Sequence, residues 1–103
     1  MARYDVFASS IEGGYLLDVQ SDLLDHFKTR VVVPLLPLTS APSPMRKLHP
    51  VFEINGRKMV MATHLIATVA ATELGENRTN LTSHHDDIVA ALDMLFQGFK
   101  ARL

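Results

Sequence analysis

Only at its end does this chain take up a helical period. Ile88, Leu92, Leu95 and Phe99 recur at spacings of four, three and four, with Val89 and Phe96 beside them. That is the apolar stripe of one amphipathic helix. Everything before about residue 81 has a different texture: short β-branched or aromatic runs separated by turn residues. A chain patterned in this way is confined to a small β structure with a single closing helix.

The strand signals can be placed individually. Tyr4 to Ala8 is short and rich in β-formers, and Gly13-Gly14 fits a chain reversal before a second strand at Tyr15 to Val19. Val31-Val32-Val33, flanked by charge, suits a strand buried on both faces. Val51-Phe52-Glu53-Ile54 and Arg57-Lys58-Met59-Val60-Met61 flank Asn55-Gly56, a pair that tolerates the two positive φ angles of a tight hairpin turn. A further strand is expected within Ile66 to Glu73. All five prolines fall between Pro34 and Pro50, which predicts a long surface excursion there, mobile at its centre from Thr39 to Pro44.

At the other end, Thr82 or Ser83 is expected to cap the helix, and Asp86 and Asp87 put negative charge in its first turn. Gly98 is placed to end it. Asp86, Ala90, Asp93 and Gln97 then share the solvent-facing side.

Between the second and third strands lies Asp18-Val19-Gln20-Ser21-Asp22-Leu23-Leu24-Asp25. The runs on either side leave no room for a helix. Gln20, Ser21 and Asp22 are therefore expected at a strand end or connection, near the surface.

Composition narrows the possible functions. The 103 residues make one domain, residues 1–103, and 48% apolar with 20% charged is the balance of a soluble globular protein. Ten basic and eleven acidic residues leave a net charge of −1, which argues against gripping many nucleic-acid phosphates. With no cysteine, disulfides, thiolate metal sites and cysteine nucleophiles are ruled out. The N-terminus lacks the order of a signal peptide, and no apolar stretch approaches the roughly 18 residues of a membrane span. The expected setting is cytoplasmic, away from membranes.

Candidate chemistry is sparse. In His84-His85-Asp86-Asp87 neighbouring side chains diverge by about 100° on a helix, so capping and dipole roles are favoured over a metal site. Glu73, Glu76 and the acids of Asp18 to Asp25 read as solvated charge. Ser9, Ser10 and Ser21 come without a nucleophile elbow or a glycine-rich oxyanion loop. Met59 and Met61 read as core residues. No cofactor and no catalytic set is expected.

Several pieces, in a common order and at near-constant spacing, resemble the CcdB family of toxins. They are Asp18 to Asp25, Arg30-Val31-Val32-Val33-Pro34-Leu35, Leu48-His49-Pro50-Val51, Ile66-Ala67-Thr68-Val69, Leu74-Gly75-Glu76, and Asp87-Ile88 through Leu95-Phe96 with Gly98. The resemblance implies a mainly β fold: a small SH3-like barrel or antiparallel sheet closed by one C-terminal helix, shared in outline with MazF. It implies a homodimer that binds the DNA gyrase A subunit and traps the gyrase–cleaved DNA complex, without catalysis. A CcdA-like antitoxin would neutralise it, and DNA would be reached only indirectly, through that complex. Carried over, the gyrase-binding positions are Ser21, Leu23 and Leu24 with Asp93, Gln97, Gly98 and Phe99. The family's best-known members end in Trp-Gly-Ile, whereas this chain has Gln97-Gly98-Phe99 and four further residues. Two alternatives stand beside this reading: a MazF-like endoribonuclease, and a degenerate non-toxic homologue that keeps dimerisation and antitoxin binding.

Overall fold

The computed structural model describes residues 1–10, 13–40 and 45–98. Seven strands, β1 (Asp5–Ala8), β2 (Tyr15–Asp18), β3 (Thr29–Pro37), β4 (Val51–Ile54), β5 (Arg57–Met61), β6 (Ala67–Ala70) and β7 (Asn77–Asn80), precede one helix, α1 (His85–Gln97). All strand pairings are antiparallel. The sheet runs β4-β5-β3-β2-β1-β7, and β6 pairs with the remaining stretch of β3. The result is a curled half-barrel with α1 packed against its concave core.

The nine-residue β3 explains the curl. One of its edges pairs with β2 from Asp18↔Val32 to Tyr15↔Leu35. The other edge is divided, with β6 taking Thr29 to Val32 and β5 taking Leu35 to Pro37. A single strand thus feeds two diverging partners.

Here the structure corrects the sequence expectation. Pro34 and Pro37 belong to a strand, not to a surface excursion. Pro34 sits where the partner changes, and its carbonyl accepts from the Ala62 amide on that same edge at 2.9 Å. The amide and carbonyl of one strand residue point the same way, so the N–H that proline lacks would have met the gap between β6 and β5. The excursion is confined to the residues after Pro37, and residues 41–44 of its centre lie outside those described.

The Asn55-Gly56 turn has the expected geometry, with φ of 53° and 78°. Val32 and Val33 are buried, on opposite faces of β3 as expected, and Met59 and Met61 are both in the core. Core side chains from Val6, Leu17, Val33, Leu35, Phe52 and Ile54 meet Leu81, Ile88 and Ala91.

Sequence patterning missed β7. Asn77-Arg78-Thr79-Asn80 has no apolar residue and is exposed throughout. It pairs because β1 offers a free edge, with Asp5 opposite Asn80 and Val6 opposite Thr79. The helix cap also differs: His84 occupies the N-cap without a side-chain bond, after a 3-10 turn over Thr82–His84. The Thr82 amide instead donates to Asn80 Oδ1 at 2.8 Å, and its hydroxyl turns to the same oxygen. Gly98 ends α1 as expected, at φ 71°, donating its N–H to Met94 O at 3.0 Å.

Gly75 is required for a different reason, close approach. A Cβ there would lie 2.7 Å from the Ala8 carbonyl oxygen, where the Ala8 amide is already bonded to Glu76 O at 2.9 Å. Gly75→Ala should therefore push β1 and the Glu76 backbone apart and cost about 1–3 kcal/mol in urea unfolding. Gly56→Ala, with open space around its Cβ, should lose only the cost of a positive φ, about 1 kcal/mol.

Candidate interaction site

A buried polar frame carries the segment that the sequence placed near the surface. Asp18 and Arg30 are both fully buried, on the face of the sheet opposite Leu17 and Val33. Asp18 Oδ2 lies 2.8 Å from Arg30 Nε and 2.7 Å from Nη2, and Oδ1 accepts the Gln20 amide at 3.0 Å. Burial pushes the Asp18 carboxyl above the usual carboxylate range. The Gln20 amide and the Arg30 charge pull it back only in part, and nearby Asp5 adds to the upward push. Among the described residues neither Arg30 Nη1 nor Nη2 has a hydrogen-bond partner, Nη2 meeting Asp18 as an ion-pair contact alone, so the pair is not fully satisfied.

Gln20 is also buried, correcting its expected exposure. Its Oε1 accepts the Val31 amide at 3.0 Å and its Nε2 donates to Leu24 O at 2.9 Å. One side chain therefore fastens the start of β3 to the following turn. That turn is a 3-10 stretch over Asp22–Leu24, capped by Ser21 Oγ accepting the Leu23 amide at 3.1 Å. Arg3 N donates to Asp22 Oδ1 at 2.8 Å. With its backbone held from below, the turn points apolar side chains outward: Leu23 is 86% exposed, Leu24 40% and Phe27 49%.

Tyr4 links this frame to the helix. Its amide donates to Asp18 O at 2.7 Å, its carbonyl accepts from Leu81 N at 2.9 Å, and its hydroxyl meets His85 Nδ1 at 2.6 Å. Burial pushes the phenol's pKa above its ordinary value. These three ties hold a bulky residue at φ 73°, a conformation that costs about 1–3 kcal/mol. His84 lies over the Phe52 ring, so both histidines of the 84–87 cluster make structural contacts.

At the other end of α1, Asp93 is half-buried while Gln97 and Gly98 are exposed, and Gln97 Nε2 donates to Asp93 Oδ1 at 3.3 Å. Phe99 and the Lys100 to Leu103 tail lie outside the described residues. Phe96, expected beside the packed stripe, is 70% exposed. Its position about 80° round the helix from Ile88, in the last turn, was the available signal.

The two sets of residues do not meet within one chain through any described contact. The ties from the turn run through Arg3 and Tyr4 to His85, about 18 Å along α1 from Gln97. Among the described residues no hydrogen bond or ion pair joins Ser21, Leu23 or Leu24 to Asp93, Gln97 or Gly98.

A family model described as CcdB protein matches residues 3–98. Among solved structures, an endoribonuclease in complex with its cognate antitoxin from a mycobacterial species is similar in fold. Its TM-score is 0.74 at 17% identity, over 94% of this chain and 95% of that one. The curled sheet and closing helix thus define a CcdB/MazF-like fold, the class of toxin–antitoxin toxins. Within that class the chain belongs to the CcdB family.

The buried pair makes a checkable demand. Asp18→Asn leaves Arg30 charged and buried without its counter-ion, and should cost about 3–5 kcal/mol in urea denaturation. Asp18→Leu combined with Arg30→Met should recover most of that loss or exceed wild-type stability.

Proposed function

We propose that this toxin acts by binding rather than by catalysis, as a homodimer, with the DNA gyrase A subunit as its target and a CcdA-like antitoxin as its neutralising partner. The observation that carries the reading is the outward display of Leu23, Leu24 and Phe27 on a turn whose backbone is rigidly held from within. Apolar side chains on a preorganised turn suit a protein interface, because little ordering is left to be done on binding. A second display, Phe96 and Gln97, ends α1.

The separation of the two displays supports the homodimer in this reading. The turn belongs to the His85 end of α1, whereas Phe96 and Gln97 occupy the far end. A two-fold pairing of chains offers a way to place the turn of one copy and the helix end of the other on one continuous surface. In this reading Phe96 supplies the aromatic anchor, since Gln97 stands where the family's best-known members have tryptophan. The net charge of −1 favours a protein target over an RNA groove.

A cleavage assay with purified gyrase, supercoiled DNA and ATP tests the proposal. The wild-type chain should accumulate linear DNA that is revealed on denaturing the enzyme. Leu23→Asp and Phe96→Ala should each lose about 2 kcal/mol of binding, roughly thirty-fold in potency, with little change in unfolding midpoint. Gln97→Trp should raise potency. Growth arrest without gyrase-dependent breakage, or site-specific cutting of single-stranded RNA by the purified chain, would overturn the gyrase target. The second outcome would favour the endoribonuclease reading that the similar fold suggests. A chain that neither arrests growth nor traps gyrase until Gln97 is replaced would be the degenerate homologue.

A further inference from the structure

Residues 45–50, which lead into β4, are fastened to the 3-10 turn over Thr63–Leu65 by an unusual pair of side chains. The Met45 amide donates to His49 Nδ1 at 2.8 Å, and His49 Nε2 lies 2.9 Å from His64 Nδ1. The rings are 4.9 Å apart and inclined at 73°. Thr63 Oγ1 donates to Leu48 O at 2.5 Å, and His49 N donates to Met45 O at 2.7 Å. The fastened segment bears Arg46 and Lys47, which line a cleft of about 440 Å³ together with Pro50 and with Asp87 and Ala90 of α1.

The proton positions follow from one fixed donor. A backbone N–H can only donate, so His49 Nδ1 must be the bare nitrogen and Nε2 must carry the ring proton. His49 then donates to His64 Nδ1, which must also be bare. This arrangement holds only while both rings are neutral. A proton added to His49 Nδ1 faces the Met45 N–H, and one added to His64 Nδ1 faces the His49 N–H. Either way a bond is lost, and a second proton sets the two rings against each other. For the same reason no lone pair remains on His49 Nε2 for a metal ion.

We propose that His49 and His64 form a proton-operated latch, which holds residues 45–50, with Arg46 and Lys47, against the start of α1 at neutral pH and releases them in mildly acidic conditions. Of the charged groups around the segment, Arg46 and Lys47 belong to it and Asp87 of α1 lines the same cleft, while His84 packs on Phe52. Among the described residues no carboxylate is ion-paired or hydrogen-bonded to either ring.

Burial first, and then the nearness of His64, hold His49 below its ordinary value of 6.5. The closed form therefore binds fewer protons than the open one. Its stabilisation is complete above pH 6.5 and is lost as pH falls through the lowered value.

NMR titration of the full chain from pH 8 to 5 tests the latch. The Met45 and Leu48 amides should shift with the same midpoint as the His49 ring, below 6.5. Met45 amide protection, corrected for intrinsic exchange, should fall by up to about ten-fold per pH unit over that range. In the double variant His49→Gln, His64→Gln the glutamine oxygen of residue 49 can accept from Met45 and its amide can donate to residue 64, with nothing left to titrate. Its Met45 and Leu48 amides should stay closed down to pH 5. Amides that ignore the His49 titration in the wild type, or that open equally in the double variant, would overturn the proposal. None of these readouts depends on gyrase, so the latch and the target fail or survive separately.

Discussion

Arg30 has to keep its charge somewhere, and in this fold that place is beside Asp18, under the sheet and away from water. Taking both ions out of solvent costs several kcal/mol each, and burial outweighs the Arg30 charge in pushing the Asp18 carboxyl up. What the pair provides is geometry. It crosses from β2 to β3 on the face opposite the main core, where a register slip of one residue would turn either charge into the apolar side. The β2–β3 register in turn decides where β3 can split its outer edge between β6 and β5, and so where the sheet curls.

The proposed partner surface descends from the same frame. Asp18 holds the Gln20 backbone, Gln20 holds the turn, and the turn shows Leu23 and Leu24 to solvent. Tyr4 extends the chain of contacts from Asp18 to the first turn of α1. Polar groups inside the molecule thus position apolar groups outside it, the reverse of the usual arrangement of a globular domain. An interface built in this way is stiff before its partner arrives, which reduces the entropy lost on binding. The histidine latch is independent of that frame. It acts on residues 45–50, whose Arg46 and Lys47 line a cleft with Asp87 and Ala90 of α1.

Much of this architecture was legible in the chain. Asn55-Gly56 placed its hairpin to the residue, because only that local geometry suits a tight reversal. The period of Ile88, Leu92 and Leu95 placed the helix, and Gly98 its end. The candidate site was only half legible. Ser21, Leu23 and Leu24 proved to be a capped, exposed turn, but Asp18 and Gln20 read as surface groups because nothing local reveals a partner twelve residues away. Phe96 counted as packing because a helical wheel does not show where the sheet beneath the helix stops.

The order of apolar and turn residues along the chain determined a mainly β domain with one closing helix, because side-chain period and turn chemistry are local properties. Whether a given polar residue is buried, whether a proline can sit inside a strand, and whether four polar residues pair as β7 were settled by neighbours brought from elsewhere in the chain. Asp18 is buried because Arg30 is there. Pro34 is tolerated because β3 changes partners at that point, and Asn77 to Asn80 form a strand because β1 had an edge to offer. Each of these depends on long-range contact, a quantity that no window of sequence contains.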